Sequence, residues 1–265
     1  MTLMEATPPP LRAFARYVLP PALALALVLL AWELYVGWRD ISIIVVPKPS
    51  EVIDRFWSDP WFFWREGGYT LYEATLGLLA GSLCAVSLAV LMAHSRTAER
   101  TLFPLAIVVK VTPLVAVAPV LVIIFGFGTA PKIIVAALLS FFPMLANSMT
   151  GFRDVNPGAL QFLQSMRASA WHVFWKLRVP SAMPYVFVAL KVTYPLALIG
   201  AVVAEWFTGD RGLGVVIFVA NANLNTPTLF AAIGVLAIIG VAINAVLSLV
   251  ERRVLFWHES VRSAQ

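Results

Sequence analysis

Long apolar runs separated by short charged stretches dominate the chain. They fall near 17–37, 71–93, 102–126, 131–151, 184–204 and 229–250. Each is close to the roughly 20 residues that an α-helix needs to cross a hydrocarbon core about 30 Å thick. An isolated segment in lipid must satisfy its backbone internally, so each run is predicted to be helical. Two further runs, Ser42 to Ile44 and Val215 to Ala220, are too short to span. The second reads as a re-entrant or interfacial segment. The expected fold class is therefore an all-α membrane protein of about six transmembrane helices. A membrane domain at 17–251 is preceded by an N-terminal segment, 1–16, and followed by a tail, 252–265.

Composition supports this pattern. Of 265 residues, 60% are hydrophobic and 12% charged, too few charges to coat a water-soluble globule of this size. The net charge of +5 and pI near 9.6 fit basic loops beside a membrane better than a nucleic-acid surface. Cys84 is the sole cysteine, which excludes an intrachain disulfide and makes thiolate metal binding an unsuitable reading. Arg12 and Arg16 before the run Val18 to Trp32 imitate a secretory signal. Pro20 and Pro21 interrupt that run, and Trp32-Glu33-Leu34 stands where small residues should precede cleavage. The segment is read as an uncleaved first span.

Charge asymmetry sets the expected topology. With the N-terminus in the cytoplasm, the inner side holds Arg12, Arg16, Arg96, Arg100, Arg153, Arg167, Lys176, Arg178, Arg252, Arg253 and Arg262. The outer side holds Arg39, Lys48, Arg55, Arg65, Lys132 and Arg211. The excess inside predicts that both termini are cytoplasmic.

The inner connection 152–183 is the most informative segment. Asn156-Pro157-Gly158 is turn chemistry, and no helix breaker occurs between it and Pro180. Phe162, Met166, Ala170 and Phe174 recur at four-residue spacing, which predicts one amphipathic helix over 160–178. Such a helix suits a membrane surface or a partner's groove.

At this point the chain resembles the permease family of ATP-binding-cassette importers, in particular those for nitrate, sulfonates, taurine and pyrimidine precursors. The family's inner loop carries Glu-Ala-Ala, three residues, then Gly, and ends in a hydrophobic residue and Pro. Here Gln161-Phe162-Leu163 stands for Glu-Ala-Ala and Arg167 for Gly, and Phe174 to Pro180 follows in register. Arginine at that place argues against a bend with positive φ. Pro47-Lys48-Pro49-Ser50-Glu51-Val52, Phe125-Gly126-Phe127-Gly128, Phe142 to Asn147, Glu205-Trp206-Phe207 and Arg211-Gly212-Leu213-Gly214 occur in the family's order over about residues 45 to 250.

The resemblance implies a type I importer permease in a bacterial plasma (inner) membrane. It implies a second copy of the permease, two ATP-binding-cassette ATPase subunits and an external substrate-binding protein. The 160–178 segment would be a cytoplasmic coupling helix, with Ser165, Met166, Arg167, Ala168, Ser169 and Trp171 meeting the ATPase. No Gly-x-x-x-x-Gly-Lys-Ser/Thr loop occurs in the sequence. ATP and Mg are therefore expected on the partner ATPase, with no cofactor, metal or catalytic residue in this chain. The expected cargo is a small organic solute or anion.

Charges and amides inside spans are candidates for the translocation path. Lys110 either snorkels to the headgroups or lines an inner vestibule. Lys191 reads as snorkelling. Asn147 either lines the path or, like Asn244, bonds a neighbouring helix. Glu205 is expected to pair with Arg211 across the following turn or to stay solvated. Trp57, Trp61 and Trp64 read as an interfacial belt. The main alternative function is an ion-coupled secondary transporter. Against it stand the lack of an internal repeat and an expected absence of carboxylates from spans two to six.

Overall fold

The computed structural model describes residues 10–256, with side chains from Leu19 onward. The readings on Arg12, Arg16, Arg262 and the ends of the two terminal segments fall outside the described residues or side chains. Among the described residues, five helical stretches are long and apolar enough to cross a membrane, or six if one bent pair counts as a span. They are residues 19–38 of α1 (Pro10–Trp38), then α3 (Pro60–His94), α6 (Thr129–Arg153), the stretch 170–208 containing α9 (Val179–Thr208), and α11 (Thr226–Val254). No strand occurs among the described residues.

The third expected span is not a single helix. It divides into α4 (Arg96–Val111) and α5 (Leu114–Phe125), bent by 95°. Pro113 supplies no N–H, and its ring pushes Thr112 to an extended conformation, φ −67° and ψ 126°. The second span starts earlier than its hydropathy suggested. Pro60 suits the first helical position, and Asp59 accepts from the backbone N–H of Phe62 at 3.1 Å.

The core is a packed trio of α3, α6 and α9. Lipid tails are as apolar as leucine, so helices in a bilayer gain little from excluding water and associate through close packing of small residues. Ala85, Ala89, Ala136, Ala189, Ala197 and Ala201 are accordingly buried. Gly77 and Gly81 bring α3 onto α6. A Cβ on Gly81 would lie 2.5 Å from the carbonyl oxygen of Ala137 and 2.7 Å from Ser140 Oγ.

Around the trio the remaining helices are peripheral. The described side chains of α1 are mostly exposed. Its ties are Trp32 against the Phe230 ring at 5.5 Å and Glu33, which accepts from Ser50 N–H and Oγ at 3.0 and 2.8 Å. That contact caps α2 (Pro49–Ser58), a short amphipathic helix. The expected short apolar segment near 215–220 is α10 (Leu213–Ala222). It packs on α11 through a cluster containing Phe63, Leu213, Ala231, Ala232 and Val235. Thus α2, α10 and the 209–212 turn gather at one end of the bundle. The connection between α6 and α9 lies at the other.

Candidate functional site

The 157–178 segment is not the continuous helix expected from its sequence. It folds as α7 (Pro157–Ser165), a turn, α8 (Ala170–Val173) and one π-helical turn, Phe174–Arg178, running directly into α9. Asn156 Oδ1 caps α7 by accepting from Gly158 and Ala159 N–H at 2.9 and 3.1 Å. At the break, Arg167 adopts φ +55°, the bend that its identity argued against. Arg167 N–H donates to Gln164 O at 2.9 Å and Ala168 N–H to Leu163 O at 3.0 Å. These are the paired bonds of a Schellman helix end, whose residue beyond the C-cap is left-handed and is usually glycine. Two backbone bonds thus hold the arginine where the related pattern has glycine. Left-handed backbone costs a residue with a Cβ about 1–2 kcal/mol. Arg167→Gly is therefore expected to raise the thermal midpoint in detergent and preserve assembly, whereas Arg167→Val should lower it.

The break also splits the apolar stripe. Phe162 and Met166 remain 63% and 65% exposed on the projecting arm. Phe174 instead turns inward, 6.0 Å from the Phe152 ring and 5.5 Å from His94. Trp171, 68% exposed, stacks beside Phe174. Ser169 caps α8 by accepting from His172 N–H at 3.3 Å. Ser165 Oγ donates to Phe162 O at 2.8 Å. The six residues Ser165 to Ser169 and Trp171 are therefore brought together at the tip of a projection. Its base is fixed to the bundle by Arg178, which donates to Phe152 O at 3.2 Å, and by the Tyr185–Asp154 hydrogen bond. Next to it, Arg153 grips Glu99 through two bonds of 2.6 and 2.9 Å.

The expected path residues are dispersed. Lys110 is exposed, with Nζ 4.6 Å from the Phe142 ring centroid. Asn147 does not reach a neighbouring helix. Its amide donates to Pro143 O of its own helix at 2.8 Å, and it lines a cleft of about 780 Å³ with Asp154, Lys176, Ser181, Pro184 and Tyr185. Asn244 is exposed and has no hydrogen bond among the described side chains. Lys191 does not simply snorkel; it pairs with Glu251 of α11.

Glu205 lies at the opposite end from Lys110 and Asn147 and corrects two expectations. It is fully buried and does not pair with Arg211. One carboxylate oxygen accepts from Thr70 Oγ1 at 2.7 Å and the other from Gly214 N–H at 2.5 Å. Thr70 Oγ1 accepts in turn from Leu213 N–H, and Glu66 accepts from Gly212 N–H, both at 2.9 Å. The free N–H groups that open α10 are thus taken by side chains of α3 and α9. Gly212, at φ +110°, has no room for a side chain because a Cβ would strike the Glu205 carboxylate.

Beside this cap lies a polar centre that the sequence reading missed. Lys132, counted among the outer-side charges, has a side chain with no exposure. Its Nζ contacts Glu73 at 3.0 Å, Asp210 at 2.7 Å and the Arg211 carbonyl at 3.1 Å. Burial pushes the Asp210 carboxyl up, but the Lys132 hydrogen bond and charge outweigh it and hold its pKa below the ordinary value. Glu73 is buried within α3, so spans two to six do contain a carboxylate. The available signal was its place in the 71–93 run and that of Lys132 in the 131–151 run.

Comparison with known proteins fits this architecture. The family described as "Binding-protein-dependent transport system inner membrane component" matches residues 77–256. The chain is 30% identical over 257 residues to the riboflavin transport system permease protein RibX of Chloroflexus aurantiacus, covering 95% of this chain and 96% of that protein. It is 30% identical over 244 residues to the formylaminopyrimidine transport permease protein ThiX of Halalkalibacterium halodurans, covering 91% and 96%. Among solved structures, a chain of the inward-facing MetNI methionine ABC transporter superposes with a TM-score of 0.66 at 17% identity, covering 74% of this chain and 98% of that one. A chain of an amino acid ABC transporter gives 0.61 at 19%, covering 76% and 97%. The broken inner segment, the small-residue trio and the capped α10 are therefore the framework of a chain that belongs to the binding-protein-dependent transport system inner membrane component family.

Proposed function

We propose that this permease subunit carries a small organic solute through alternating access, driven by a separate ATPase chain docked on the 157–178 projection. The observation that carries the reading is the exposed tip, where Phe162, Met166 and Trp171 are left largely uncovered by the described residues. An unbroken helical connection runs from that tip, through α8 and the π-turn, into α9. Movement of a partner seated on the tip would be transmitted along α9 to the packed trio, biasing two discrete arrangements. The positive-charge asymmetry supports placing this end and both termini in the cytoplasm, with α2 and α10 outside an inner membrane.

A pair of copies enclosing the path, two ATPase subunits and an external binding protein complete the proposed assembly. The named cargoes of similar permeases, riboflavin and formylaminopyrimidine, favour a planar organic compound here, with the sulfonate, taurine and nitrate systems marking the anionic end of the range. The ion-coupled reading gains nothing from Glu73, since its charge is already paired with Lys132 through Oε1.

Topology is tested in a Cys84→Ala background. Cysteines replacing Asp59 and Thr226 should react with an impermeant maleimide from outside intact cells. A cysteine at Ser169 should react only in inverted vesicles. The opposite labelling pattern would overturn the orientation and with it the coupling role.

A further inference from the structure

The bend between α4 and α5 leaves backbone polar groups free at an unusual depth. Thr112 and Pro113 are both extended, with ψ of 126° and 100°. Pro113 has no N–H to offer the Val109 carbonyl. The last four carbonyls of α4, at residues 109–112, therefore lose their helical partners. The Thr112 hydroxyl does not replace them, since it donates to Val108 O at 2.7 Å. Among the described residues no side chain caps the start of α5. Two neighbours place the break near the middle of the bilayer. Lys110 Nζ and the Phe103 ring lie 4.6 and 6.3 Å from the ring centroid of Phe142, which stands near the midpoint of the α6 span. The 12 residues of α5 then rise about 18 Å to Gly126, a little over half of a hydrocarbon core of about 30 Å.

Hydrocarbon tolerates neither feature. Non-helical backbone at this depth occurs only where it is buried in protein or lines a water-filled cavity. This chain does not bury it. Val111 and Val115, on either side of the break, are 67% and 54% exposed, and Lys110 is exposed too. The packed face of α5 is elsewhere, where Ala118 joins Val135 and Ala204. Among the described residues Lys110 forms no ion pair. An unpaired cation within a span is costly unless it faces water or a protein interior. The free carbonyls and the cation belong to the same last turn of α4, so one aqueous cavity relieves both costs.

We infer that the α4–α5 break lines the solute path at mid-membrane and holds the solute there, its carbonyls at 109–112 accepting from solute N–H groups and Lys110 donating to a solute oxygen. The inference rests on the importer reading above. It also sets the chemical class of the solute. The carbonyls are acceptors only and the ammonium is a donor only. A fitting solute therefore carries N–H donors together with a carbonyl or acidic oxygen, as an amide, an imide or an amino acid does. A bare inorganic oxyanion has no N–H and leaves the carbonyls unmatched.

The test uses the complete importer in nanodiscs, in a Cys84→Ala background with cysteine at Thr112 or, separately, at Val111. The probes are two water-soluble methanethiosulfonates, one sulfonated and one carrying trimethylammonium. Both cysteines should react, the sulfonated reagent about fivefold faster because Lys110 attracts it. Adding Lys110→Gln should remove that preference. Reaction only with a lipid-soluble maleimide, or with no reagent, would place the break in hydrocarbon or against the second copy, and either result overturns the inference. Equal rates for the two charged reagents would overturn the pairing of the carbonyls with Lys110. The solute class is read by mass spectrometry of the small molecule released from the purified binding protein. A compound with N–H donors and an oxygen acceptor is expected, and nitrate or a simple alkanesulfonate would overturn the assignment. Failure of the importer reading is distinguishable, because wild-type ATP hydrolysis would then respond to no binding protein.

Discussion

Lys132→Met should lower the stability of the detergent-solubilised protein by about 3–5 kcal/mol, the usual consequence of removing one partner from a buried ion pair. At the domain size of this chain that corresponds to a fall of roughly 6–20 °C in thermal midpoint. The side chain has no exposure and three partners at 2.7–3.1 Å, so no water replaces it cheaply. Glu73 would be left inside the bundle without its cation, and the 209–212 turn would lose Asp210 and the Arg211 carbonyl as anchors. Glu73→Gln in the same chain should recover part of the loss, because it removes the uncompensated charge. Asp210→Asn should cost much less, since that carboxylate is 42% exposed and solvent screens it. Thermal midpoints of the four proteins check this ordering. Equal losses for Lys132→Met and Asp210→Asn would mean that the buried Glu73 contact is not the main term.

The contrast with the sequence reading has a physical pattern. Hydropathy located the spans because each must present apolar surface to lipid, and this holds for α3, α6, α9 and α11. It could not locate the bend between α4 and α5, since both halves remain apolar and only Thr112-Pro113 separates them. Nor could it reveal which charges are buried. Lys132 and Glu73 lie 59 positions apart in sequence and become partners only when α3 packs on α6. Glu205 and Arg211 were within reach along the chain, yet the left-handed turn at Gly209 and the close approach of Gly212 and Gly214 direct the Gly214 N–H, not the guanidinium, at the carboxylate. The 160–178 segment was misread for a related reason. Its four-residue periodicity is compatible with one helix, but the Schellman bonds at Arg167 and the inward turn of Phe174 divide it into a projecting arm and a fixed base. Those bonds are backbone interactions that side-chain patterning does not encode. The break lies within the Ser165–Trp171 grouping and places it at the end of the arm.

That same tip gives the second large effect. Burying Phe162 or Met166 in a partner groove is worth roughly 1.5–3 kcal/mol each, so Phe162→Ala should weaken ATPase association by about tenfold or more. A carboxylate placed at the turn that follows them should do greater harm, because it must be desolvated without a cation or be excluded from the groove. Ala168→Glu introduces charge and bulk at the turn. Ser169→Asp introduces charge alone while keeping an acceptor able to cap α8. Neither touches a span, so insertion and the α3–α6–α9 trio should be intact. Co-purification of the ATPase separates loss of docking from loss of signalling.

The most direct measurement is ATP hydrolysis by the importer reconstituted in proteoliposomes, with and without solute-loaded binding protein, for the wild type and for Ala168→Glu. The expected result is strong stimulation in the wild type and none in the variant, whether its ATPase has dissociated or remains bound at the basal rate. Undiminished stimulation in a fully inserted Ala168→Glu variant would contradict the assignment of the 157–178 projection as the element that couples ATP hydrolysis to transport.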